Sequence, residues 1–327
     1  MRVFDDRWRG AHGIGRFATE LYGRLPGFVP IKLAGSPARA LDPFVLERYL
    51  RDKGASFFFS PGYNVPLTRK IAFAFCLHDL NHLADDEPRG TLKKKYYEWI
   101  VRPAVSKAMV VFTVSEFSRT QICEWANVEY ERVINVGNGV SSVFRHDGAA
   151  YSAAEYFLHV GGARPHKNLL RVMRALANST ALRDINLVCV GGGVNEVMAL
   201  AESCGLRTRT IAFQGLSDER LAEVYRGAIG LVFASLREGF GLPIIEAMAC
   251  GCPVITSRIS SMPEVSGGAA LLVDPNDVDD ISDKMERVAF SSLLRSELVA
   301  AGKVRSSSFS WELTASGIAA ALKKCNL

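Results

Sequence analysis

The 327-residue sequence lacks any apolar run approaching the roughly 20 residues that a membrane-spanning helix needs. Its beginning, Met1-Arg2-Val3-Phe4-Asp5-Asp6, is too polar for a secretory signal peptide. Internal repeats and low-complexity tracts are absent as well. These absences predict a packed cytoplasmic protein, and the length predicts two domains of roughly 150 residues each.

Cysteine is sparse, with seven residues scattered along the chain. Cys76, Cys189 and Cys250 lie in apolar contexts, which predicts reduced thiols rather than disulfide bonds. Cys250 and Cys252 have neither the spacing nor the accompanying histidine of a metal or redox motif, so we expect them to pack in the core. The acidic run Asp85-Asp86-Glu87 lacks the spacing of a metal-binding acid motif and is interpreted as a solvated loop.

The whole excess of positive over negative charge lies in the first half of the chain. Residues 1–150 hold 21 Lys+Arg against 16 Asp+Glu, whereas residues 151–327 hold 18 of each. Basic residues mixed with aromatic ones suit an anionic membrane surface or a pyrophosphate-bearing lipid acceptor, although a solvated helix face explains them equally well. The local cluster comprises Arg89, Lys93, Lys94, Lys95 and Arg102 with Tyr96, Tyr97 and Trp99. No basic stripe or nucleic-acid motif is present, so a nucleic-acid partner is not expected.

Apolar strands alternate with helices along the whole chain, which predicts an α/β fold with parallel sheets covered on both faces. In the first half, strands are expected at Arg2–Asp5, Val29–Leu33, Ser56–Phe59, Ile71–Leu77 and Met109–Val114. Helices are expected there at Ile14–Leu25, Asp42–Lys53, Thr91–Lys107 and Glu116–Cys123. In the second half, strands are expected at Tyr156–Val160, Asn186–Val190, Thr210–Phe213, Leu231–Ala234, Pro253–Thr256 and Leu271–Val273. The polar stretch 144–149 predicts a boundary between domains 1–149 and 150–310, followed by a last helix at about 311–327.

The most informative motif is Glu238-Gly-Phe-Gly-Leu-Pro-Ile-Ile-Glu246, in which seven residues around a glycine-rich turn separate two glutamates. Pro243 suits the beginning of a helix and Gly251 its end, so Glu238 lies in the loop after a buried strand. Glu246 then lies about one turn into the helix, and both carboxylates address one crevice.

The turn between the two glutamates also suits an anion. Gly241 and Leu242 bring backbone N–H groups to a helix N-terminus, which attracts negative charge. Two acids around such a cradle predict a site for a sugar joined to a nucleotide diphosphate. The alternative is an acid pair at the start of an ordinary helix.

A second motif, residues 161–168, follows the first strand of the second half and reads Gly-Gly-Ala-Arg-Pro-His-Lys-Asn. Its glycines, Gly162 among them, let a ligand approach the backbone, and Arg164 and Lys167 suit a diphosphate. Fixed cations there would stabilise the charge that builds on the departing phosphate when the sugar–phosphate bond breaks. The alternative is a pair of surface cations beside a helix cap at Asn168.

These motifs resemble the signatures of the retaining nucleotide-sugar glycosyltransferases of family 4, the glycosyl transferases group 1, in a mannosyltransferase-like form. The resemblance implies the GT-B fold, with two Rossmann-like domains facing each other across a cleft and the last helix packed on the first. It implies that Glu238 contacts hydroxyl groups of the transferred sugar and Glu246 the ribose. It also implies that no metal is needed and that the donor's own β-phosphate oxygen takes the acceptor proton. Further donor contacts are implied for Phe240, Gly241 and Leu242, and diphosphate contacts for Arg164 and Lys167.

In the first half, His12-Gly-Ile-Gly-Arg-Phe-Ala18 fits the weak dinucleotide pattern G-x-G-x-x-A. A dehydrogenase is disfavoured, because the motif does not directly follow the first strand and the second strand does not end in an acid. The resemblance instead implies that Gly13, Gly15 and Arg16 approach the donor phosphates. A glycine pair at an ordinary helix start remains the alternative.

Other candidates lie at the ends of predicted strands. His78 is similar to the family's cleft histidine and is predicted to be catalytic, with Asp79 and Ser115 on the acceptor side. A structural His–Asp pair is the alternative. In the second half, Phe213 and Leu216 are placed to bracket the nucleotide base.

We therefore expect a retaining hexosyltransferase that moves mannose from GDP-mannose to a glycan or lipid-linked acceptor in surface polysaccharide assembly. It would work at the cytoplasmic membrane face, with contact through the basic N-terminal domain. A UDP-sugar donor is the first alternative. A non-catalytic nucleotide-sugar-binding protein, a sugar-nucleotide epimerase and a membrane-docking scaffold are alternatives from other classes.

Overall fold

The computed structural model describes residues 1–10, 12–67, 70–84, 90–152 and 154–325. The acidic run Asp85-Asp86-Glu87 and the basic residue Arg89 lie outside these described residues. The chain divides into two compact units, which are Met1–Gly139 with Ser310–Leu327, and Val140–Phe309.

In the described part of the first unit, six strands form a parallel sheet in the order β2-β1-β3-β4-β5-β6. Continuous apolar strands such as Phe57–Ser60 are buried because helices cover both faces of the sheet. The strands are β1 Arg2–Phe4, β2 Val29–Pro30, β3 Phe57–Ser60, β4 Ala72–Cys76, β5 Val110–Thr113 and β6 Val133–Asn135. The helices are α1 Gly13–Tyr22, α2 Asp42–Asp52, α3 Asn81–Ala84, α4 Gly90–Tyr96, α5 Arg102–Lys107 and α6 Glu116–Ala126. The sequence analysis missed β6, because three residues at a sheet edge carry too little periodicity.

The helix predicted at Thr91–Lys107 is interrupted. Between α4 and α5, residues Tyr97–Val101 form a π turn, and the Arg102 N–H donates to the Tyr97 carbonyl. Pro103 accounts for the change, because its ring has no N–H and clashes with the carbonyl four residues earlier. The turn buries Tyr97 and leaves Trp99 exposed.

The described part of the second unit also contains a six-stranded parallel sheet, in the order β12-β11-β10-β7-β8-β9. The strands are β7 Tyr156–Val160, β8 Asn186–Val190, β9 Thr210–Phe213, β10 Gly230–Phe233, β11 Val254–Ser257 and β12 Leu271–Val273. The helices are α7 Leu169–Asn178, α8 Val194–Ser203, α9 Asp218–Gly227, α10 Leu242–Ala249, α11 Met262–Ser266, α12 Val278–Phe290 and α13 Ser292–Ser306. All six strands predicted for this half are confirmed, and the strand order is that of dinucleotide-binding folds.

The second unit begins at Val140 rather than at residue 150. Phe144 is buried, and its ring centroid lies 6.0 Å from that of Tyr225 on α9. Arg226 donates to the Arg145 carbonyl at 3.0 Å. These contacts attach the polar connecting stretch to the second unit.

The last helix, α14 Trp311–Lys324, belongs to the first unit. Trp311 is buried with its ring centroid 6.0 Å from that of Phe17. Arg24 donates to the Glu312 carboxylate at 2.9 Å. A Cβ on Gly139 would lie 2.2 Å from the Trp311 nitrogen, so this close approach requires glycine. None of the helices in the described ranges is both long and apolar enough to cross a bilayer.

Candidate active site

The strand order of the second unit reverses between β7 and β10. β8 and β9 follow on one side of β7, and β11 and β12 follow on the far side of β10. Ligands of parallel α/β sheets bind at the carboxyl ends of the strands beside such a switch point. Arg164 and Lys167 lie in the loop after β7, and Glu238 lies in the loop after β10. The topology therefore brings the predicted donor-site residues to one edge of the sheet.

Lys167 and Glu238 form an ion pair at this edge, with Nζ 2.7 Å from Oε1. Only 14% and 11% of the two side chains are accessible, so their charges are largely shielded from water. Lys167 Nζ also lies 4.9 Å from the centroid of the Phe233 ring, and a Cβ on Gly241 would lie 3.4 Å from the same ring. A Cβ on Gly161 would lie 2.8 Å from the lysine Cδ. Lys167, Glu238 and the turns at Gly161 and Gly241 therefore lie close together at the carboxyl edge of the sheet.

Two serines after β11 hold the glutamate loop. Ser260 Oγ accepts from the Glu238 N–H at 3.0 Å and lies 2.7 Å from the Glu238 carbonyl, to which it donates. Ser261 Oγ donates toward the carbonyls of Glu238 and Phe240, at 2.9 and 3.0 Å. The sequence analysis missed both serines. Their position just after a predicted strand, at the carboxyl edge, is the signal that would have found them.

The turn before α10 has the geometry that the sequence predicted. Gly241 adopts φ +99°, a left-handed conformation that favours glycine, and α10 begins at Leu242. Pro243 lies in the first turn, and Gly251, at φ +72°, follows the helix end. The amide end of the helix dipole therefore lies directly beside the Glu238 loop.

The glycine loops after β7 and β8 pack backbone against backbone. Gly162, Gly191 and Gly192 have φ values of +69°, +95° and +74°. A Cβ on Gly162 would lie 2.6 Å from the Gly191 carbonyl oxygen, so no other residue fits there. Bare backbone is therefore presented beside Lys167.

Arg164 is not drawn into this cluster. Its side chain is exposed at the start of a short 3₁₀ turn, without an ion pair to another described residue. Asn168 stands at the N-cap position of α7, but its side chain makes no capping hydrogen bond. It adopts φ +62° and donates to the carbonyls of Ala234 and Pro275, at 2.9 and 2.6 Å. Asn168 thereby joins the lysine loop to the residues after β10 and β12, a role that the sequence analysis missed.

Glu246 is buried on α10 and accepts a hydrogen bond from the Tyr225 hydroxyl at 3.0 Å. Burial, and secondly the charge of Glu246, raise the pKa of Tyr225 well above its ordinary value. The phenol therefore stays protonated and orients the carboxylate that is predicted to bind ribose.

Phe213 and Leu216, the predicted base contacts, are both half-buried near the end of β9. The Phe213 ring lies edge-on to Tyr151 with centroids 5.7 Å apart, and Arg220 lies 5.0 Å from the Tyr151 ring. Phe213 thus has an aromatic neighbour that the sequence analysis did not consider.

His159, on β7, is fully buried beneath the glycine loop, with Nδ1 3.2 Å from the Val232 carbonyl. Burial, together with the neighbouring charge of Lys167, lowers the pKa of His159 to about 4, against the opposing effects of the hydrogen bond to Val232 and the charge of Glu238. The ring is therefore neutral and donates from Nδ1.

Acid is expected to destabilise the second unit through His159. The folded pKa of about 4 lies below the ordinary 6.5, so the unfolded chain takes up the proton first. Stability is thus lost as the pH falls from about 6.5 towards 4, by up to about 3 kcal/mol for this residue. Urea unfolding between pH 4 and 7 measures the slope, which His159→Leu should flatten and the exposed-site control His146→Gln should not. An unchanged slope in His159→Leu would contradict the assignment.

In the first unit, the predicted glycine loop begins α1. The His12 Nδ1 accepts from the Gly15 N–H at 3.0 Å and so caps the helix. A Cβ on Gly15 would lie 2.4 Å from the Gly10 carbonyl, whereas one on Gly13 would meet nothing within 4 Å. Gly15 is therefore required by packing, and Gly13 is available to approach a ligand. Arg16 lies in the same first turn of the helix.

His78 follows β4, with Nε2 2.9 Å from the Pro61 carbonyl and its ring 4.8 Å from Phe17. A carbonyl only accepts, so Nε2 carries the proton. Burial, and secondly the charge of His12, lower the pKa of His78 to about 4. The ring is neutral, and its Nε2–H is engaged within the unit.

The two residues predicted for the acceptor side have local structural roles. The Asp79 carboxylate accepts from the Asn81 N–H at 2.9 Å at the start of α3. Ser115 is buried and caps α6 by accepting from the Ser118 N–H at 3.0 Å. The Ser115 hydroxyl is therefore used as a helix cap.

The predicted core location of Cys250 and Cys252 is confirmed, since both are buried. Burial raises the pKa of the Cys250 thiol to about 12. Among the described residues, no group of three or more His, Cys, Asp or Glu side chains is arranged to hold a metal ion.

Sequence comparisons agree with this geometry. The pattern of the family described as glycosyl transferases group 1 matches residues 142–305. The O-antigen chain mannosyltransferase B of Escherichia coli is 32% identical over 312 residues, covering 89% of this chain and 80% of that protein. The O-antigen chain mannosyltransferase RfbU of Salmonella typhimurium is 31% identical over 220 residues, covering 66% of this chain and 60% of that protein.

Solved structures share the fold over nearly the whole chain. Sucrose-phosphate synthase from Thermosynechococcus elongatus has a TM-score of 0.80 at 16% identity, covering 99% of this chain and 98% of that one. Anabaena HepE in complex with UDP and glucose has a TM-score of 0.75 at 16% identity, covering 99% of each chain. The chain belongs to the glycosyl transferases group 1 family and is a glycosyltransferase with the GT-B fold.

Proposed function

We propose that the protein transfers mannose from GDP-mannose, with retention, to a glycan or lipid-linked acceptor in surface polysaccharide assembly. The observation that carries the proposal is the 2.7 Å ion pair between Lys167 and Glu238 beside two glycine turns. A phosphate-binding cation and a hydroxyl-binding carboxylate so close together suit the bond that joins a sugar to a diphosphate.

In this proposal, the donor separates the ion pair. Lys167, aided by Arg164, contacts the diphosphate, and Glu238 contacts the sugar hydroxyls. Gly162, Gly241, Leu242 and Phe240 line the path of the phosphates and sugar, while Glu246 binds the ribose and Phe213 with Leu216 the base. The leaving β-phosphate oxygen takes the acceptor proton on the same face, so no protein nucleophile or metal takes part.

Residues of the first unit complete the proposal. Gly13, Gly15 and Arg16 approach the donor phosphates, and ordering of this loop would exclude water from the reaction. His78 contacts the transferred sugar through its backbone carbonyl and Nδ1, because its Nε2 is hydrogen-bonded to the Pro61 carbonyl. Asp79 and Ser115 act on the acceptor side by shaping the loops that they cap.

The choice of mannose rests on the relatives named as O-antigen mannosyltransferases, and the choice of GDP on the mannosyltransferase-like form of the sequence motifs. A UDP-sugar donor is the second candidate, favoured by the similarity to a structure in complex with UDP and glucose. The acceptor setting is the cytoplasmic face of a membrane, which the positive balance of residues 1–150 supports.

A thermal-shift panel of GDP, UDP, ADP and their sugars tests the donor. A ligand at 100 times its Kd stabilises the folded chain by about 2.7 kcal/mol. We expect GDP and GDP-mannose to raise the Tm most, and stabilisation by UDP instead would select the second candidate. If no nucleotide raises the Tm, the donor site is wrongly assigned. Release of mannose to an acceptor, with GDP formed, distinguishes a transferase from a non-catalytic binding protein.

A further inference from the structure

We infer that the first turn of α2 is a docking surface for an anionic lipid bilayer. Leu41, Phe44 and Val45, here named the α2 tip, are 70%, 59% and 49% exposed. Single exposed apolar residues are ordinary, whereas a cluster of large ones marks an interaction site. Nothing in the donor-site chemistry accounts for this cluster.

The α2 tip is held rigidly from beneath. Asp42, which follows Leu41 in the chain, is buried and accepts two hydrogen bonds from Arg7, at 2.7 and 3.1 Å. Arg7 also binds Asp5, with contacts of 2.7 and 2.8 Å. A buried, mutually satisfied network of this kind fixes the helix start, so the apolar side chains are presented to solvent by a rigid support.

The α2 tip adjoins the helix that carries the basic and aromatic cluster. Asn64 donates to Asp42 at 3.2 Å, and the neighbouring Tyr63 lies edge-on to Tyr96 of α4 with centroids 6.1 Å apart. On that helix and the following π turn, Leu92 and Trp99 are 68% and 70% exposed. The two elements are thus linked through buried residues of one unit, and each exposes large apolar side chains.

Charge favours a bilayer as the occupant. Lys95 Nζ lies 5.8 Å from the Trp99 ring, which combines a cation with an amphipathic aromatic group at one spot. Exposed Arg39 and Arg48 flank the α2 tip, although Arg48 lies 3.7 Å from Asp52. The adjacent Asp42 is buried and pairs with Arg7, which it shares with Asp5. Apolar and aromatic groups rimmed by cations match the interface of an anionic membrane.

The inference rests on the proposed function in one respect, which is that a lipid-linked acceptor would lie at the membrane surface. It can be tested without a nucleotide. Vesicles of phosphatidylcholine with phosphatidylglycerol, and of phosphatidylcholine alone, are sedimented with the full chain at two salt concentrations. We expect binding to the anionic vesicles that weakens with salt. If the chain does not bind anionic vesicles but GDP still raises its Tm, the docking inference is wrong and the assignment of the donor site is unaffected.

The double variant Leu41→Ser/Phe44→Ser should lower the partition coefficient at least tenfold, because two large apolar groups no longer enter the interface. Phe290→Ser/Leu293→Ser is the matched control, since those residues are 65% and 70% exposed in the second unit. Lys94→Glu/Lys95→Glu should remove the preference for anionic vesicles. An α2-tip variant that binds as the wild type does would overturn the inference, as would one that changes only the oligomeric state in sedimentation velocity. A circular dichroism spectrum and an unliganded Tm like those of the wild type show that each variant is folded.

Discussion

Glu238→Gln is expected to lower kcat for sugar transfer by about 10²–10³-fold while leaving GDP affinity nearly unchanged. The carboxylate is held 2.7 Å from Lys167, and its backbone is fixed by two serines. The proposed function assigns this carboxylate to the sugar rather than to the nucleotide. Initial rates of GDP release with acceptor, and GDP titration, measure the two effects.

The matched control for this variant is Glu202→Gln, an exposed glutamate of the same unit that pairs with Arg207 at 3.4 Å. It should leave both parameters unchanged. Transfer at the wild-type rate by Glu238→Gln would refute the assigned role. A parallel loss of transfer and GDP binding would mean that the glutamate is structural, because Lys167 would then be left shielded and unpaired.

Lys167→Met is expected to lower kcat by a similar 10²–10³-fold, because the departing diphosphate loses its fixed cation. The same change should weaken GDP binding by about 10–100-fold, the usual effect of one charged hydrogen bond. Binding of GMP should change much less, since GMP has no β-phosphate. The affinity ratio of GDP to GMP is therefore the measurement that identifies a diphosphate contact.

The control is Lys284→Met. Lys284 lies in the same unit but away from the site, and it pairs with Asp280 at 3.1 Å and with Asp283 at 2.7 Å. This variant should preserve the GDP to GMP ratio. If Lys167→Met weakens both nucleotides equally, Lys167 supports the fold of the site instead of the phosphate. The exposed Arg164 offers a further comparison, because its side chain forms no ion pair with another residue of the described ranges.

The second unit was more predictable than the first, for a physical reason. Strands buried on both faces are continuously apolar, and β7, β8 and β10 are bounded by glycine or polar loops that mark their ends. In the first unit, β6 is a short edge strand that was missed. The π turn at Tyr97–Val101 escaped prediction because helical periodicity does not reveal a one-residue insertion.

In the candidate site too, some residues could be predicted from the sequence and others could not. Glycines at Gly162 and Gly241 and charged residues at Lys167 and Glu238 were identifiable as motifs, because phosphate binding needs bare backbone and cations. Ser260 and Ser261 were missed because their role depends on contact with a loop that precedes them in the chain by about twenty residues. The acceptor-side role of Ser115 stays a prediction, and the cap that its hydroxyl forms on α6 was not predicted.

The amino-acid sequence by itself determined the alternation of strands and helices, the two-domain plan and the residue types of the proposed diphosphate site, because these depend on local periodicity and on nearby glycines and charges. Only the tertiary structure decided which of those charges meet. Lys167 and Glu238 are 71 positions apart and become partners because β7 pairs with β10 in the sheet. The exposure of the α2 tip is likewise tertiary, because Arg7 draws Asp42 inward and leaves its apolar neighbours facing water.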